Sequence, residues 1–206
     1  MIGHGTKKCV PETKAALGSQ EGKTIEDQKE ARKVNRFPRS PLRLVVFFLI
    51  ALVIVLADQT TKYLVVREIP LNSGYVVISG FLNVVHIRNT GAAFGFLSEW
   101  EAGPFFVLLS FGVIAGLTWI VVASPPMEGF VLVGYSFFGG GTLGNLLDRL
   151  RFGEVIDFLD VHWGGLHWPA FNVADSALTV AVGIFLYELL LHRGPKPSVS
   201  DISLRS

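Results

Sequence analysis

Residues 141–175 read GTLGNLLDRLRFGEVIDFLDVHWGGLHWPAFNVAD and lie between two segments that are apolar enough to cross a bilayer. Seven side chains in this stretch combine carboxylate, amide and guanidinium groups: Asp148, Asp157, Asp160, Asp175, Asn145, Asn172 and Arg149. Polar groups are costly at membrane depth, so such a cluster is a functional-site hypothesis. The stretch therefore predicts a membrane protein whose site lies where two spans meet the membrane surface.

The composition also indicates a membrane protein. Half of the 206 residues are apolar, and the mean hydropathy is +0.47. Ten of the eighteen Lys and Arg residues precede Leu44, where they alternate with acidic residues and form no basic face, so we expect no nucleic-acid partner. The single cysteine, Cys9, can form no internal disulfide and has no metal-ligand neighbours, so we assign it no role.

The two ends of the chain are polar. Residues 1–40 are rich in Lys, Glu, Gly and Ser and lack apolar periodicity, so we expect a disordered cytoplasmic tail. A basic run from Lys33 to Arg43 precedes the first apolar segment and suggests a cleavable signal peptide. That segment starts too far into the chain and lacks a small-x-small cleavage site, so we interpret it as a retained span. Residues 194–206 form a second polar cytoplasmic tail.

The membrane domain, residues 41–193, contains four apolar segments that are predicted to span as helices. At about 1.5 Å per residue, each is long enough for an apolar layer of roughly 30 Å. The predicted spans are Leu44 to Val66, Pro104 to Ala123, Phe130 to Leu147 and Ala174 to Leu191. Small-xxx-small spacing, which lets helix backbones approach closely, occurs twice, at Gly112/Gly116 and Gly140/Gly144.

Polar motifs flank the first span. Asp58 and Lys62 are four residues apart, so on a helix they share a face and can pair, either to ease insertion or to position a site. After the span, the runs Tyr75 to Ser79 and Phe81 to Arg88 are rich in Val, Ile and aromatics, which predicts a small extracytoplasmic β element. It ends in Asn89-Thr90-Gly91-Ala92-Ala93-Phe94-Gly95, whose small residues permit close backbone approach.

The distribution of Lys and Arg predicts the orientation. Four spans place both termini on one side, and the terminal segments hold thirteen Lys and Arg residues against four in the two loops on the other side. The positive-inside rule then puts both termini in the cytoplasm and the polar cluster on the outer face.

Most of the polar residues have an ordinary explanation when each is taken alone. Arg149 would complement the carbonyl end of a helix and reach the interface. Asn172 and Asp175 would form a capping box at the start of the fourth span, and Asp157 would be a loop carboxylate. None of this explains Asn145, which lies at membrane depth, needs polar partners and falls on the same side of a helix as Arg149.

Taken together, Asp157 and Asp175 are two carboxylates that can converge beside the outer surface. Adjacent carboxylates cannot both ionise at low cost, so their pKa values split and they share a proton. The ionised one can take a proton from water while the protonated one polarises a carbonyl, as in aspartic proteases. Such a dyad suits peptide hydrolysis at a membrane edge and needs no metal or cofactor.

Other protease chemistries lack their residues. The sequence has no His-Glu-x-x-His and no Gly-x-Ser-x-Gly, which argues against zinc and serine-elbow mechanisms. It has no second cysteine, and Cys9 lies in the polar N-terminal segment. His162 and His167 near Asp160 leave a metal site open. Histidines beside Trp163 and Trp168 are, however, more typical of the aromatic belt at a membrane interface.

Five motifs together resemble those of lipoprotein signal peptidase, also called signal peptidase II. They occur in order between Leu44 and Leu191: Asp58-Gln59-x-x-Lys62, Asn89-x-Gly91-Ala92-Ala93-Phe94-Gly95, Gly144-Asn145-x-x-Asp148-Arg149, Val155-Ile156-Asp157-Phe158 and Phe171-Asn172-x-Ala174-Asp175. The resemblance implies an aspartic endopeptidase of the bacterial cytoplasmic (inner) membrane. Such an enzyme removes signal peptides from diacylglyceryl-modified prolipoproteins, cutting immediately before the lipidated lipobox cysteine, and globomycin-type inhibitors block it.

By the same resemblance, Asp157 and Asp175 are the catalytic dyad, and Asp160 matches no role. The residues implied to line the site and bind substrate backbone are Asn89, Asn145, Arg149 and Asn172, supported by Asp58, Lys62, Gly91 and Asp148. The small sheet would cradle the substrate, and the helices would admit its signal helix laterally from membrane lipid. We expect a monomer without cofactor.

Two other classes of protein stay open from the residues alone. A small proton-coupled membrane carrier would use Asp157 and Asp175 as proton sites, although carriers usually show internal repeats and midplane sites in broken helices. A non-catalytic assembly factor would explain the glycine pairs but not the convergent acids and amides.

Overall fold

The structure is a computed structural model that describes residues 36–37, 41–91 and 102–191. Cys9, the Ala92 to Gly95 part of the glycine-rich motif and residues 194–206 lie outside the described residues. Of the expected N-terminal tail, only Arg36–Phe37 is described. The expectations for both tails therefore stay predictions.

Four helices make up most of the described chain. They are α1 (Pro41–Glu68), α2 (Ala102–Ala123), α3 (Gly129–Phe152) and α4 (Val173–Leu191). All four are long and apolar enough to cross a membrane, which confirms the predicted spans, while the orientation of the termini stays a prediction. Helix α3 continues for five residues past the predicted end at Leu147. The prediction stopped where the apolar run stopped, but the polar residues that follow are helical too. The helix ends at Phe152, and Gly153 after it has a positive φ of 76°, which suits a helix cap.

Helix α3 is the central helix and packs against each of the other three. Its glycines allow the close approach. A Cβ atom on Gly140 would lie 2.9 Å from the backbone oxygen of Ala51 on α1, and one on Gly141 would lie 2.5 Å from that of Ala174 on α4. Any larger side chain would push these helices apart.

The glycine pair of helix α2, Gly112 and Gly116, differs from the pair on α3. A Cβ atom on Gly112 or Gly116 would meet nothing within 4 Å in the described chain. Both glycines are exposed on α2, so within the described residues this pair does not lie at a contact between two helices. The spacing alone does not tell which face of a helix its neighbours cover.

The described residues also form six strands: β1 (Arg36–Phe37), β2 (Gly74–Ile78), β3 (Leu82–Asn89), β4 (Met127–Glu128), β5 (Val155–Trp163) and β6 (Leu166–His167). Strands β2, β3, β5 and β6 form an antiparallel sheet in that order at the end of the bundle where α3 ends and α4 begins. This confirms the small β element and adds two strands that were not predicted. Strands β1 and β4 pair at the opposite end.

The sheet is fixed to the bundle by an apolar cluster. Val65 and Ile69, at the end of α1, pack with Ile156 and Phe158 of β5, and all four are buried. Fully burying such a side chain contributes roughly 1.5–3 kcal/mol. Because Leu159 also bridges to Phe171, just before α4, strand β5 lies across the end of the bundle.

The other end of the bundle is tied by Arg43, near the start of α1. Its guanidinium is buried and donates to the carbonyl oxygens of Val122, Ser124 and Pro125 at 3.1–3.2 Å. These carbonyls lie at the end of α2, where helical carbonyls lack helical partners and a cation is favourable. Arg43 therefore fixes the short α2–α3 connection against α1.

Candidate active site

All ten residues predicted for the site lie at the end of the bundle that carries the four-stranded sheet. Helix α1 brings Asp58 and Lys62, strand β3 brings Asn89 just before Gly91, and helix α3 brings Asn145, Asp148 and Arg149. Strand β5 brings Asp157, and the start of α4 brings Asn172 and Asp175. Five segments that are distant in sequence thus meet in one place.

Asn172 joins the two candidate catalytic carboxylates. Its side-chain Nδ2 donates to Asp157 Oδ1 at 2.8 Å. Its backbone N–H donates to Asp175 Oδ2 at 3.2 Å, and its Oδ1 accepts from the backbone N–H of Asp175 at 2.9 Å. The last two bonds are the reciprocal pattern of a capping box at the start of α4. Asn172 therefore caps helix α4 and joins the two carboxylates at the same time.

Asp157 is buried beside the end of strand β3. Its Oδ2 accepts from Asn89 Nδ2 at 3.0 Å. Burial raises the pKa of Asp157 to about 6, and the negative charge of Asp175 acts in the same direction, against the hydrogen bonds from Asn89 and Asn172. A carboxyl group in this position can hold a proton close to neutral pH.

Gly91 fixes the orientation of Asn89. The backbone N–H of Gly91 donates to Asn89 Oδ1 at 2.8 Å, which leaves the amide nitrogen to face Asp157. Gly91 has a φ of 93°, and a Cβ atom there would lie 2.5 Å from the ring of Phe106. Both the backbone conformation and the space therefore require glycine.

Besides Asn172, a residue of α3 also binds the carboxylate of Asp175. Asn145 Nδ2 donates to Asp175 Oδ1 at 2.8 Å, while Asn145 Oδ1 accepts from Lys62 Nζ at 3.0 Å. Because an ammonium group can only donate, Lys62 fixes which end of the Asn145 amide faces Asp175.

Lys62 also lies between two buried carboxylates. Its Nζ is 2.8 Å from Asp58 Oδ2 and 2.7 Å from Asp148 Oδ2, and none of the three side chains is more than 2% exposed. Asp58 Oδ1 accepts from the backbone N–H of Ala174 at 2.9 Å, and Asp148 Oδ2 from that of Ile156 at 3.1 Å. The buried ion cluster, Asp58, Lys62 and Asp148, therefore ties α1 and α3 to the segments that carry the candidate dyad.

The structure adds Gln59 to this network. Its Nε2 donates to Asp148 Oδ1 at 2.9 Å and approaches Asp58 Oδ2 and the carbonyl of Gly144 at 3.2 Å. Its Oε1 accepts from Arg151 at 2.8 Å. The sequence carried a signal for Gln59, since it follows Asp58 in the same motif, but spacing alone gave it no partner.

Arg149 lies at the edge of the site. Its guanidinium stands 4.9 Å from the ring centroid of Phe106 and donates weakly, at 3.4 Å, to the carbonyl of Asn145. The ordinary explanation, an arginine on a late helical carbonyl, thus describes part of its contacts. Nothing in the sequence signalled Phe106.

Asp160 and the two histidines form a separate group. Asp160 accepts from Asn83 Nδ2 and faces His167 Nδ1, both at 2.8 Å, and the rings of His162 and His167 stack 4.7 Å apart. Three residues along a strand place Asp160 on the opposite face from Asp157. Among the described residues, no group of three or more His, Cys, Asp or Glu side chains is arranged to hold a metal ion.

A cavity of about 470 Å³ lies at the sheet and is lined by residues of β2, of β3 and of the turn before β2. None of the ten site residues lines it; its walls are Asn72, Ser73, Gly74, Tyr75, Val76, Asn83, Val85 and Ile87. The cavity and the candidate site are therefore separate features of the described residues.

Four spanning helices with a buried, hydrogen-bonded polar site at one end define the class: a multi-pass membrane protein built around an enzyme-like site. A family model described as signal peptidase (SPase) II matches residues 50–191. The chain belongs to this family, and the resemblance seen in its motifs is confirmed. Membership makes it a protease of the membrane.

Similar proteins agree with this assignment. The lipoprotein signal peptidase of Syntrophotalea carbinolica is 46% identical over 142 residues, which cover 68% of this chain and 88% of the relative. That of Oleidesulfovibrio alaskensis is 43% identical over 155 residues, covering 73% and 97%. A solved bacterial membrane enzyme, crystallised in meso, matches with a TM-score of 0.67 and 35% identity over 74% of this chain and 92% of the other.

Proposed function

We propose that the protein is an aspartic endopeptidase that removes the signal peptide of diacylglyceryl-modified prolipoproteins, cutting immediately before the lipidated cysteine. The observation that carries the proposal is Asn172, which bonds to Asp157 through its side chain and to Asp175 through its backbone. Two carboxylates bonded to one residue form a compact pair. Membership of the signal peptidase II family supplies the substrate class.

In the proposed reaction, Asp157 and Asp175 share one proton. The ionised carboxylate takes a proton from a water molecule, whose oxygen attacks the scissile carbonyl carbon, while the protonated carboxyl donates to the carbonyl oxygen. The tetrahedral intermediate then collapses as the hydroxyl formed from the carbonyl oxygen returns its proton to the carboxylate that donated it. The C–N bond breaks, and the amine of the lipidated cysteine leaves with the proton first taken from water. The raised pKa of Asp157 favours this chemistry, because it keeps the shared proton available at mild pH.

We assign the side-chain amides of Asn89 and Asn145 first of all to orienting the two aspartates, and only secondly to binding substrate. Asn89 and Asn145 each spend a donor on one carboxylate, so both aspartates are oriented from two sides. Arg149 lies at the edge with several guanidinium donors, and we assign it to the backbone carbonyls of the substrate. The ring of Phe106 stacks against that guanidinium.

The position of the dyad suits a substrate that stays in the membrane. Asp157 follows the end of α3, and Asp175 lies in the first turn of α4. We assign this end to the outer face of the cytoplasmic membrane, from the excess of Lys and Arg in the terminal segments. The signal helix would approach the bundle laterally while the acyl chains stay in lipid.

The test is cleavage of a diacylglyceryl-modified prolipoprotein by the purified protein in detergent, followed by mass spectrometry. We expect one product that begins at the lipidated cysteine, and no product when globomycin is present. Asp157→Asn abolishes the product, whereas Asp160→Asn, the matched control on the same strand, leaves it. Helicity measured by circular dichroism confirms that both variants are folded.

Two outcomes contradict the proposal. A fully active Asp157→Asn variant removes the dyad mechanism. Failure of the folded wild-type protein to cut removes the peptidase reaction and moves weight to the proton-coupled carrier, which proton-gradient-driven uptake into vesicles would reveal.

A further inference from the structure

The hairpin of β5 and β6 has a tight glycine turn and large apolar side chains at its tip. Gly164 and Gly165 both have positive φ, 56° and 86°, and Trp163 pairs with Leu166 across them. Two left-handed residues in a two-residue loop make the hairpin turn that matches the twist of its strands. Trp163 and Leu166 therefore stand side by side on one face.

The hairpin is amphipathic. Side chains alternate along a strand, and Trp168 continues the pairing by donating from its backbone N–H to the carbonyl of Val161 at 2.8 Å. One face thus presents Trp163, Leu166 and Trp168, which are 80%, 81% and 69% exposed. The opposite face carries the hydrogen-bonded group of Asp160 and the two stacked histidines.

We propose that this hairpin lies in the interfacial layer of the bilayer, with its apolar face toward lipid and its polar face toward water. Three large apolar side chains on one exposed face are unusual on a surface that meets only water. Tryptophan in particular prefers the level of the lipid headgroups, where its ring is buried and its N–H stays hydrated. The occupant we assign is therefore membrane lipid.

The hairpin is continuous with the lipid-facing surface of the helices. Trp168 lies five residues before Val173, where the spanning helix α4 begins. At the same end of the bundle, the last turns of α3 expose Leu150 and Phe152, 55% and 44%. Strand β5 bridges at Leu159 to Phe171, just before α4, and then continues for four residues to Trp163. On the proposed placement, those four residues carry the tip from the helix start toward the lipid around the bundle.

This arrangement sets the height of the dyad. Strand β5 carries Asp157 near one end and Trp163 at the other, so a tip held at the headgroups fixes Asp157 relative to the membrane surface. A substrate whose acyl chains stay in lipid presents its scissile bond at a fixed height as well. This consequence rests on the proposed function, whereas the lipid contact itself does not.

Depth-dependent quenching tests the lipid contact. Trp100→Phe, Trp119→Phe and Trp168→Phe together leave Trp163 as the single tryptophan, in protein reconstituted into phosphatidylcholine vesicles. We expect its fluorescence to be lost when the lipid carries bromine near the headgroup end of its acyl chains, and to resist aqueous iodide. A variant that retains only Trp119, on helix α2, is the positive control for lipid contact.

Trp163 fluorescence that is quenched by iodide and untouched by brominated lipid would overturn the proposal. If the single-tryptophan variant fails to fold, Cys9→Ser with Leu166→Cys carries a polarity-sensitive fluorophore on the other side of the turn. An emission spectrum typical of an aqueous environment for the fluorophore at position 166 would also overturn the proposal. Either result stands whether or not the wild-type protein cleaves a prolipoprotein.

A kinetic comparison tests the height of the dyad. We expect Trp163→Ser with Leu166→Ser to raise KM for lipidated substrate in vesicles and to leave cleavage in detergent micelles unchanged. An equal loss in both media would mean that the hairpin acts only through folding, which overturns the proposed role in height. Lack of cleavage by the wild-type protein would instead remove the proposed function and leave the quenching result intact.

Discussion

The side-chain amide of Asn145 donates a hydrogen bond of 2.8 Å to the carboxylate of Asp175, across the packed interface of α3 and α4. The other end of that amide faces Lys62 at 3.0 Å. A buried ammonium on α1 therefore decides which atom of a residue on α3 meets a carboxylate on α4. The candidate site is oriented by contacts among three helices.

Replacing Asn145 by Leu should lower kcat more than it raises KM. The variant keeps the number and branching of the side-chain heavy atoms but removes the donor to Asp175. A hydrogen bond to a charged group contributes about 1.5–3 kcal/mol, which is roughly 10- to 150-fold in rate. Steady-state kinetics with lipidated substrate measures both constants. An unchanged kcat would show that Asp175 does not depend on this amide.

Lys62→Met should destabilise the fold strongly. It leaves Asp58 and Asp148 buried without their cation, and breaking a buried ion pair costs about 3–5 kcal/mol. Thermal unfolding in detergent measures the effect. Glu68→Gln is the control, because its pair with Arg67 is more than 60% exposed and such pairs contribute little. Similar melting temperatures for the two variants would contradict the role assigned to the buried ion cluster.

Asp157 should titrate near pH 6. Since an unfolded aspartate loses its proton near pH 3.9, the native state retains a proton between these values, and stability falls as pH rises from about 4 to about 6. Infrared spectroscopy should show a protonated carboxyl band that disappears with a midpoint near 6. The band is absent in Asp157→Asn, and its midpoint moves to lower pH in Asp175→Asn, where the neighbouring charge is removed. A midpoint near 4 in the wild-type protein would contradict the burial argument.

Gly91→Ala should reduce activity sharply, because the added Cβ meets the Phe106 ring at 2.5 Å and the backbone has a positive φ. Either effect would turn Asn89 away from Asp157. Gly80→Ala is the matched control, since Gly80 also has a positive φ but open space around it, so it reports backbone strain alone. Partial recovery in Gly91→Ala with Phe106→Leu would identify the steric part, and equal losses at Gly80 and Gly91 would exclude it.

Some elements of the fold can be predicted from the sequence and others cannot. The spans are predictable because lipid demands long apolar helices, and β2 and β3 because turn residues bound their apolar runs. Strand β5 escaped prediction since Val155, Ile156, Asp157 and Phe158 are all buried, so no alternation of exposed and buried residues marks it. The aspartates and asparagines stand out as polar groups in an apolar chain. The contact between Arg149 and Phe106 leaves no trace in the sequence, because the two residues meet only through the packing of α2 against α3.

The hydrogen bonds that the backbone N–H groups of Ala174 and Ile156 donate to Asp58 and Asp148 have a consequence for the order of events during synthesis. A chain that has inserted three helices already contains Asp157 but has neither Asn172 nor Asp175 in place. On the proposed mechanism, such an intermediate is inert. Proteolytic competence then appears only when the last helix joins the bundle, so insertion itself is the activation step.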